Sequence, residues 1–285
     1  MRKKFSIIIV TFKSEEILEK CLKHIYQNNN IIIIDNSNNY YYKKIIKKKY
    51  PKIIYITSKK NLGYGAANNI GIAKSKNTNV LILNPDAIIA KSDYAMLENY
   101  INNIKNYGIL LPLIKNKNSE IVLKKKINKP QIANYKDIGK GYVSGCAMLI
   151  NKKQLKKIGF FDEKIFLYKE ETDLIKRCSD NNIKVYMLPR CHVRHIGTSS
   201  HNNSLNFEME LSRNWHWMWS NFYFYKKNFN FFYAIVKMSN NIFTSSFKTF
   251  LYFFINKKKC LIYKHRLFGL FSSILNLKSY YRPKV

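Results

Sequence analysis

Three of the chain's 17 carboxylates fall within four consecutive residues, Glu170-Glu171-Thr172-Asp173. Adjacent carboxylates raise one another's pKa, and a general base works best when poised near the operating pH, so this cluster is a candidate for taking a proton from a hydroxyl. The same acids would also suit a helix start, where the macrodipole favours negative charge. Asp86 closes the tripeptide Asn84-Pro85-Asp86 behind an apolar run. A lone carboxylate completed by substrate phosphates is typical of Mg²⁺ sites, and Mn²⁺ also accepts imidazole. His195 is a candidate metal ligand or pyrophosphate donor, and a packed or surface histidine is the plain alternative. His192, three residues earlier, has no separate case. Asp35 ends the run IIIID at 31–35. It could accept hydrogen bonds from a nucleobase imide or a ribose hydroxyl, or it could cap the turn that Asn36 and Ser37 begin. Residues 60–69 (KNLGYGAANN) form a glycine-containing loop opening a helix. Small residues let backbone approach a ligand and a helix N-terminus favours anions, although the spacing is neither that of a dinucleotide fingerprint nor of a P-loop.

The elements that must carry these residues follow from the apolar pattern. Residues 5–12 (FSIIIVTF) and 31–35 are short, continuous, β-branched runs that read as buried strands. Between them Ser14, Glu15 and Glu16 open a helix whose Ile17, Leu18, Cys21, Leu22 and Ile25 share one face. The pattern predicts further strands at 53–57 and 80–83 and a helix at 66–74. Strands alternating with helices imply a parallel sheet covered on both faces, with ligands beyond the carboxyl ends of its strands. Thr11, Asp35 and Asp86 stand at three such ends. Beyond them, 115–140 reads as a long polar loop with at most a short strand at 121–123. Residues 141–150 turn apolar, 152–158 read as a short helix ended by Gly159, and 160–168 read as an aromatic loop. Residues 171–181 read as a helix with Leu174, Ile175 and Cys178 on one side, and 183–188 as a strand stopped by Pro189.

With 285 residues and 46% hydrophobic content, the chain can build a real core, which excludes global disorder. Five cysteines without a C-x-x-C spacing exclude a disulfide framework and point to a reducing compartment. The net charge of +33 invites a nucleic-acid reading, but abundant Lys, Asn, Ile and Tyr is also what an AT-rich coding sequence produces. The tail is different: after Glu210 there is no Asp or Glu, while lysines, arginines and aromatics crowd together. That combination marks an interfacial membrane segment. No apolar run reaches the roughly 20 residues of a bilayer crossing, and the N-terminal run is too short for a signal peptide. The expected location is cytoplasmic, peripheral on the cytoplasmic face of a membrane. Within 228–256, Phe229, Phe232, Val236, Phe243, Phe247, Phe250 and Phe254 recur at helical spacing, a stripe that favours core packing over a membrane face.

The ordered motifs SIIIVTF (6–12), IIIIDNS (31–37), KNLGYGAANNIG (60–71), LILNPDA (81–87), GYVSGCAMLI (141–150), GFFDEKIFLYKEETDLIKR (159–177) and VRHIGTSS (193–200) resemble those of family 2 glycosyltransferases, specifically the rhamnosyltransferase-like branch. The resemblance covers roughly residues 4 to 215. It implies an α/β GT-A nucleotide-sugar-binding fold, a Rossmann-like mostly parallel sheet flanked by helices, over 1–215. Residues 216–285 would form a C-terminal helical, basic-aromatic appendage. It implies an inverting glycosyltransferase that moves a hexosyl unit, rhamnosyl being the specific candidate, from a nucleotide-diphosphate sugar to a cell-surface glycan or lipid-linked acceptor. Thr11 and Asp35 would hold the nucleoside, and Asn61, Gly63 and Asn68 would shape the wall around the nucleotide-sugar. Gly145 and Cys146 would abut the sugar. Asp86, with His195, would bind Mn²⁺ or Mg²⁺; Asn84 stands where the family's D-x-D element has its first acid. Glu171 falls at the catalytic base, with Glu170 as the alternative and Asp173 beside them. An anionic membrane surface is the expected partner and no specific nucleic acid is. The competing readings are a catalytically inactive scaffold of the same fold and a basic nucleic-acid-binding protein.

Overall fold

The computed structural model describes residues 5–25, 30–116, 118, 128–137, 144–196 and 206–283. Strand β1 (Phe5–Thr11) is buried along its whole length. Its alternate side chains enter two different apolar clusters: Phe5, Ile7 and Ile9 lie in one, and Ile8 and Val10 in the other. β2 (Asn30–Asp35) divides in the same way, with Ile31 and Ile33 on one face and Ile32 and Ile34 on the other. A strand covered on both faces has no polar side, which is why these segments are near-continuous apolar runs rich in isoleucine. Each fully buried side chain of this kind contributes on the order of 1.5–3 kcal/mol.

β1 pairs in parallel with β2 and with β4 (Asn79–Leu83), and β2 pairs in parallel with β3 (Ile54–Thr57). Helices α1 (Glu15–Ile25), α2 (Tyr40–Lys49) and α3 (Tyr64–Lys74) connect them. α1 buries Leu18, Cys21, Leu22 and Ile25, the face its spacing indicated. Asn39 caps α2, its side chain accepting from the Tyr42 amide at 2.9 Å.

The chain continues through β5 (Ala87–Ile89), α4 (Lys91–Asn103), β6 (Tyr107–Lys115), β7 (Gln131–Ile132), β8 (Ala147–Asn151), α5 (Lys152–Leu155), α6 (Glu170–Asp180) and β9 (Lys184–His195). The sheet order is β3-β2-β1-β4-β8-β6-β9-β5, with β7 alongside β9. It is mixed: β8 runs antiparallel to β4 and β6, and β5 and β7 run antiparallel to β9. β9 itself runs parallel to β6. The short strand expected at 121–123 lies outside the described residues.

Pro189 does not stop the last strand. β9 continues to His195, and its register with β6 jumps from Pro112↔Leu188 to Leu113↔His192. The extra residues of this bulge absorb the proline, which cannot donate to a ladder. The strand therefore carries His195 to the same sheet edge as the ends of β1, β2 and β4.

The contacts divide the chain into two units, 1–162 with 171–201, and 163–170 with 202–285. The second contains α7 (Asn206–Asn228), α8 (Phe231–Ile255) and α9 (Lys257–Ile274). Met218, Phe222, Ala234, Met238 and Leu270 form its apolar centre. α7 and α9 approach so closely at Gly269 that a Cβ there would strike the Trp215 backbone. Asn230 and Asn256 cap α8 and α9, accepting from Tyr233 N at 2.8 Å and Lys259 N at 3.0 Å. The chain end is fastened to α7: Trp219 Nε1 donates to Leu277 O at 3.1 Å, and His216 Nε2 to Tyr281 O at 2.9 Å. Ser279 Oγ lies 3.0 Å from His216 Nδ1, so the ring is held as one neutral tautomer. Burial lowers its pKa from the usual value to about 3.

The aromatic stripe of α8 is not a core face. The helix buries Ala234, Met238 and Ser245, while Phe232, Val236, Phe243, Phe247, Phe250 and Phe254 are exposed. Helical spacing alone defines a face; packing of Ala234 and Met238 against Met218 and Phe222 of α7 and Leu270 of α9 decided which face turned inward. Among the described residues no helix is long and apolar enough to cross a membrane.

Candidate functional site

The site residues of the first unit stand at one edge of the sheet. Thr11 pairs with Asp35 where β1 and β2 end, and Leu83 at the end of β4 pairs with Ala147 at the start of β8. His195 at the end of β9 pairs with Ala87, directly after Asp86. Strand polarity therefore puts Thr11, Asp35, Asn84, Asp86, Cys146 and His195 at a common edge, although they are scattered through the sequence.

Asp35 is buried. Its Oδ1 accepts from Ser37 N at 2.8 Å and Ser37 Oγ at 2.5 Å, and its Oδ2 accepts from Asn39 N at 3.2 Å and Tyr55 Oη at 3.3 Å. Burial and the nearby carboxylate push the Tyr55 phenol up. Asn36 then stitches the loops together. Its amide donates to Thr11 O at 2.9 Å, its Nδ2 donates to Gly63 O at 3.1 Å, and its Oδ1 accepts from Leu62 N at 3.3 Å. Gly63 has φ 87°, a left-handed conformation that suits glycine, and its amide donates to Asn61 Oδ1 at 3.0 Å. Asn68 is buried on α3, where its Nδ2 donates to Tyr64 O at 3.0 Å while Oδ1 has no hydrogen-bond partner among the described residues.

Tyr64 joins this loop to the next. Its hydroxyl lies 2.9 Å from Asn84 Oδ1 and 2.8 Å from Gly145 O, so one proton serves two acceptors. Asn84 N donates to Cys146 O at 2.8 Å, closing the corner between β4 and β8. Cys146 is buried, and burial pushes its thiol up to about 12; it acts here through its backbone. Gly145 faces Glu171, since a Cβ on it would lie 3.3 Å from the Glu171 carboxyl carbon. Sequence reasoning did not single out Asn36 or Tyr64, because a turn asparagine and a loop tyrosine show their bridging role only when distant loops are brought together.

Asp86 and His195 touch: Nε2 lies 3.2 Å from Oδ2. The hydrogen bond to Asp86 raises the His195 pKa against the opposing effect of burial. Asp86 Oδ1 is buried and has no hydrogen-bond partner among the described residues. A buried carboxylate oxygen without a donor is costly unless a cation or ligand satisfies it. No group of three or more His, Cys, Asp or Glu able to hold a metal occurs among the described residues. The donor set of one carboxylate and one imidazole thus fits a divalent cation that takes its remaining oxygens from a substrate.

At the start of α6 the three acids differ in their surroundings. Glu170 is buried, Glu171 half-buried and Asp173 fully buried. Asp173 Oδ2 accepts from Arg177 Nε at 2.8 Å. The same guanidinium donates to the carbonyls of Ile158, Gly159 and Phe160, so this pair holds the segment before the acids. Tyr168 and Lys169, immediately upstream, both adopt positive φ, at 68° and 72°. Left-handed non-glycine residues each cost on the order of 1–3 kcal/mol and persist where the surroundings impose them. His192 stands apart: its amide donates to Asp93 Oδ1 at 2.7 Å.

The family model Glycosyl transferase family 2 matches residues 6–159, more than half of the chain. The chain belongs to glycosyl transferase family 2. It is 28% identical over 200 residues to the low-salt glycan biosynthesis hexosyltransferase Agl10 of Haloferax volcanii, a match covering 63% of this chain and 63% of that relative's length. It is 25% identical over 182 residues to rhamnosyltransferase WbbL of Escherichia coli K12, covering 54% of this chain and 67% of WbbL. Among solved structures, the mannosyltransferase PcManGT of Pyrobaculum calidifontis, in complex with GDP-Man and Mn²⁺, superposes with a TM-score of 0.58. The superposition covers 97% of this chain and 88% of PcManGT at 10% identity, so the likeness is one of fold. The family 2 chain has the GT-A fold, with a helical C-terminal region.

Proposed function

We propose that this family 2 protein is an inverting glycosyltransferase that moves a hexosyl unit, specifically rhamnosyl, from a nucleotide-diphosphate sugar to a cell-surface glycan or lipid-linked acceptor. The observation that carries the reading is the Asp86–His195 pair with its unsatisfied buried Oδ1, set at the same sheet edge as Thr11 and Asp35. Two relatives bear hexosyltransferase and rhamnosyltransferase names, which supports the substrate class.

Thr11 and Asp35 hold the nucleoside in this reading, with Asn61, Gly63 and Asn68 along its wall and Asn84, Gly145 and Cys146 against the sugar. Asp86 and His195 would hold Mn²⁺ or Mg²⁺, which would supply Lewis-acid stabilisation to a departing diphosphate. Glu171 takes the proton from the acceptor hydroxyl. It is preferred to Glu170 because it is the less buried of the two and lies against the Gly145 turn. Asp173, paired with Arg177, steadies the segment that carries them. Inversion follows from attack opposite the leaving group, which requires base and diphosphate on opposite sides of the anomeric carbon. Residues 1–215 carry this chemistry, and 216–285 place the enzyme at the cytoplasmic face of an anionic membrane, where a lipid-linked acceptor would lie.

The test is a thermal-shift panel of dTDP-, UDP- and GDP-linked sugars with and without Mn²⁺ or Mg²⁺, run on the wild type and on Asp86→Ala, with transfer measured in parallel. A ligand that binds only the native state raises Tm. The expected result is a metal-dependent shift with a dTDP-linked donor that Asp86→Ala loses, accompanied by turnover in the wild type alone. Donor binding without turnover would favour a non-catalytic scaffold, and equal behaviour of dTDP- and UDP-linked donors would remove the rhamnosyl assignment.

A further inference from the structure

α8 presents an apolar strip to solvent that its own unit leaves uncovered. Phe232, Val236, Phe243, Phe247, Phe250 and Phe254 are between 55% and 80% exposed. At about 100° per residue these six fall within an arc of about 60°, opposite the buried Ala234, Met238 and Ser245. The strip runs from residue 232 to 254, which at about 1.5 Å per residue is roughly 33 Å. Phe253 and Ile255 widen it at its carboxyl end, where Lys257, Lys258 and Lys259 follow at once and are exposed. Soluble monomers rarely expose contiguous apolar surface on this scale unless it is an interaction site.

We infer that the outward face of α8 is a docking surface for an anionic lipid bilayer, on which the helix lies in the plane of the interface with its phenylalanines among the acyl chains and its lysines at the headgroups. Charge selects this occupant. No acid follows Glu210, while the exposed Lys237 stands to one side of the strip and the exposed Lys257–Lys259 cluster follows it. A second copy of the chain would set lysines against lysines across the contact, whereas anionic headgroups complement them. An amphipathic helix with a basic border and bulky apolar residues on the other side is the form that lies in an interface rather than crossing it. Tyr233, beside the amino-terminal end of the strip, has the amphipathic ring that settles at headgroup level. This deepens the membrane-proximal part of the reading above and is independent of the sugar-transfer chemistry.

The experiment is flotation of the full chain with phosphatidylcholine vesicles, with or without phosphatidylglycerol, at low and high salt. The variants are Phe243→Ser/Phe247→Ser/Phe250→Ser, Lys257→Glu/Lys258→Glu/Lys259→Glu and Asp86→Ala. The serine variant keeps every charge, so adsorption caused merely by the net charge of +33 would survive it. The three phenylalanines are exposed, and an unchanged far-ultraviolet melt establishes that the variant folds. The wild type and Asp86→Ala are expected to float with anionic vesicles at least tenfold better than with neutral ones. The serine and glutamate variants are each expected to lose at least tenfold. Failure of the wild type to float, or equal flotation of the serine variant, overturns the assignment. So does a wild-type dimer that the serine substitutions dissociate while vesicle binding is unchanged. Because Asp86→Ala disables the proposed donor site, its flotation separates failure of the docking surface from failure of the transferase reading.

Discussion

The two units use their apolar residues in opposite ways. In the first, isoleucines of β1 and β2 are enclosed on both sides of the sheet, and the polar side chains gather at one edge. In the second, the buried core is a handful of side chains around Met218 and Phe222, and the larger aromatics of α8 stand outside. In a sheet whose two faces both carry apolar clusters, the candidate ligand site falls beyond the carboxyl ends of the strands. A helix with a narrow buried strip retains a second face, and what that face contacts is set by its neighbours in the cell.

The comparison can be tested at the sheet edge first, where the largest effect is expected. Glu171→Gln removes the proposed base and should lower turnover by roughly 10²–10⁴-fold, the usual contribution of general base catalysis, while leaving the donor-induced Tm shift intact. Single-turnover transfer assays with and without the substitution check it. Unchanged turnover would move the base to Glu170.

A smaller effect is expected within the helical unit. Gly269→Ala places a methyl against the Trp215 backbone, which cannot turn aside as a side chain can. The expected loss is about 1–3 kcal/mol. All three tryptophans lie in α7, so a fluorescence-monitored melt reads this unit directly. If the substitution lowered the fluorescence midpoint no more than a surface change does, α7 and α9 would not pack as described.

An effect of similar size, spread over a pH range, comes from His216. His216 is buried and neutral, with its pKa lowered to about 3 by burial. The unfolded chain, where the ring has its ordinary pKa near 6.5, then binds more protons below that value. Stability is therefore full above about pH 6.5 and falls as pH drops toward 3, by about 1.4 kcal/mol per pH unit from this group. Fluorescence melts between pH 7 and 5 should show the decline, and His216→Gln should flatten it.

Much of the first unit was legible in the sequence because continuous β-branched runs admit few structures. The strands at 5–12, 31–35 and 80–83 and the helix beginning at Ser14 all occur near their expected bounds. β9 was cut short at Pro189 because a proline in a strand reads as a terminator, and only pairing with β6 reveals a bulge that absorbs it. The antiparallel β8 and β5 were not anticipated as such, since strand direction leaves no trace in local pattern. The α8 stripe was assigned to a core for a related reason: periodicity identifies a face, not what lies opposite it.

The amino-acid order by itself determined the first strands and helices of the first unit and which side chains carry charge, because these depend on local hydrophobicity and backbone preference. Tertiary structure alone decided that Asp86 meets His195, that Gly145 faces Glu171, and that Tyr64 bridges Asn84 to Gly145. Those contacts depend on strand order and direction across the sheet, which are settled by long-range packing rather than by any neighbour in sequence.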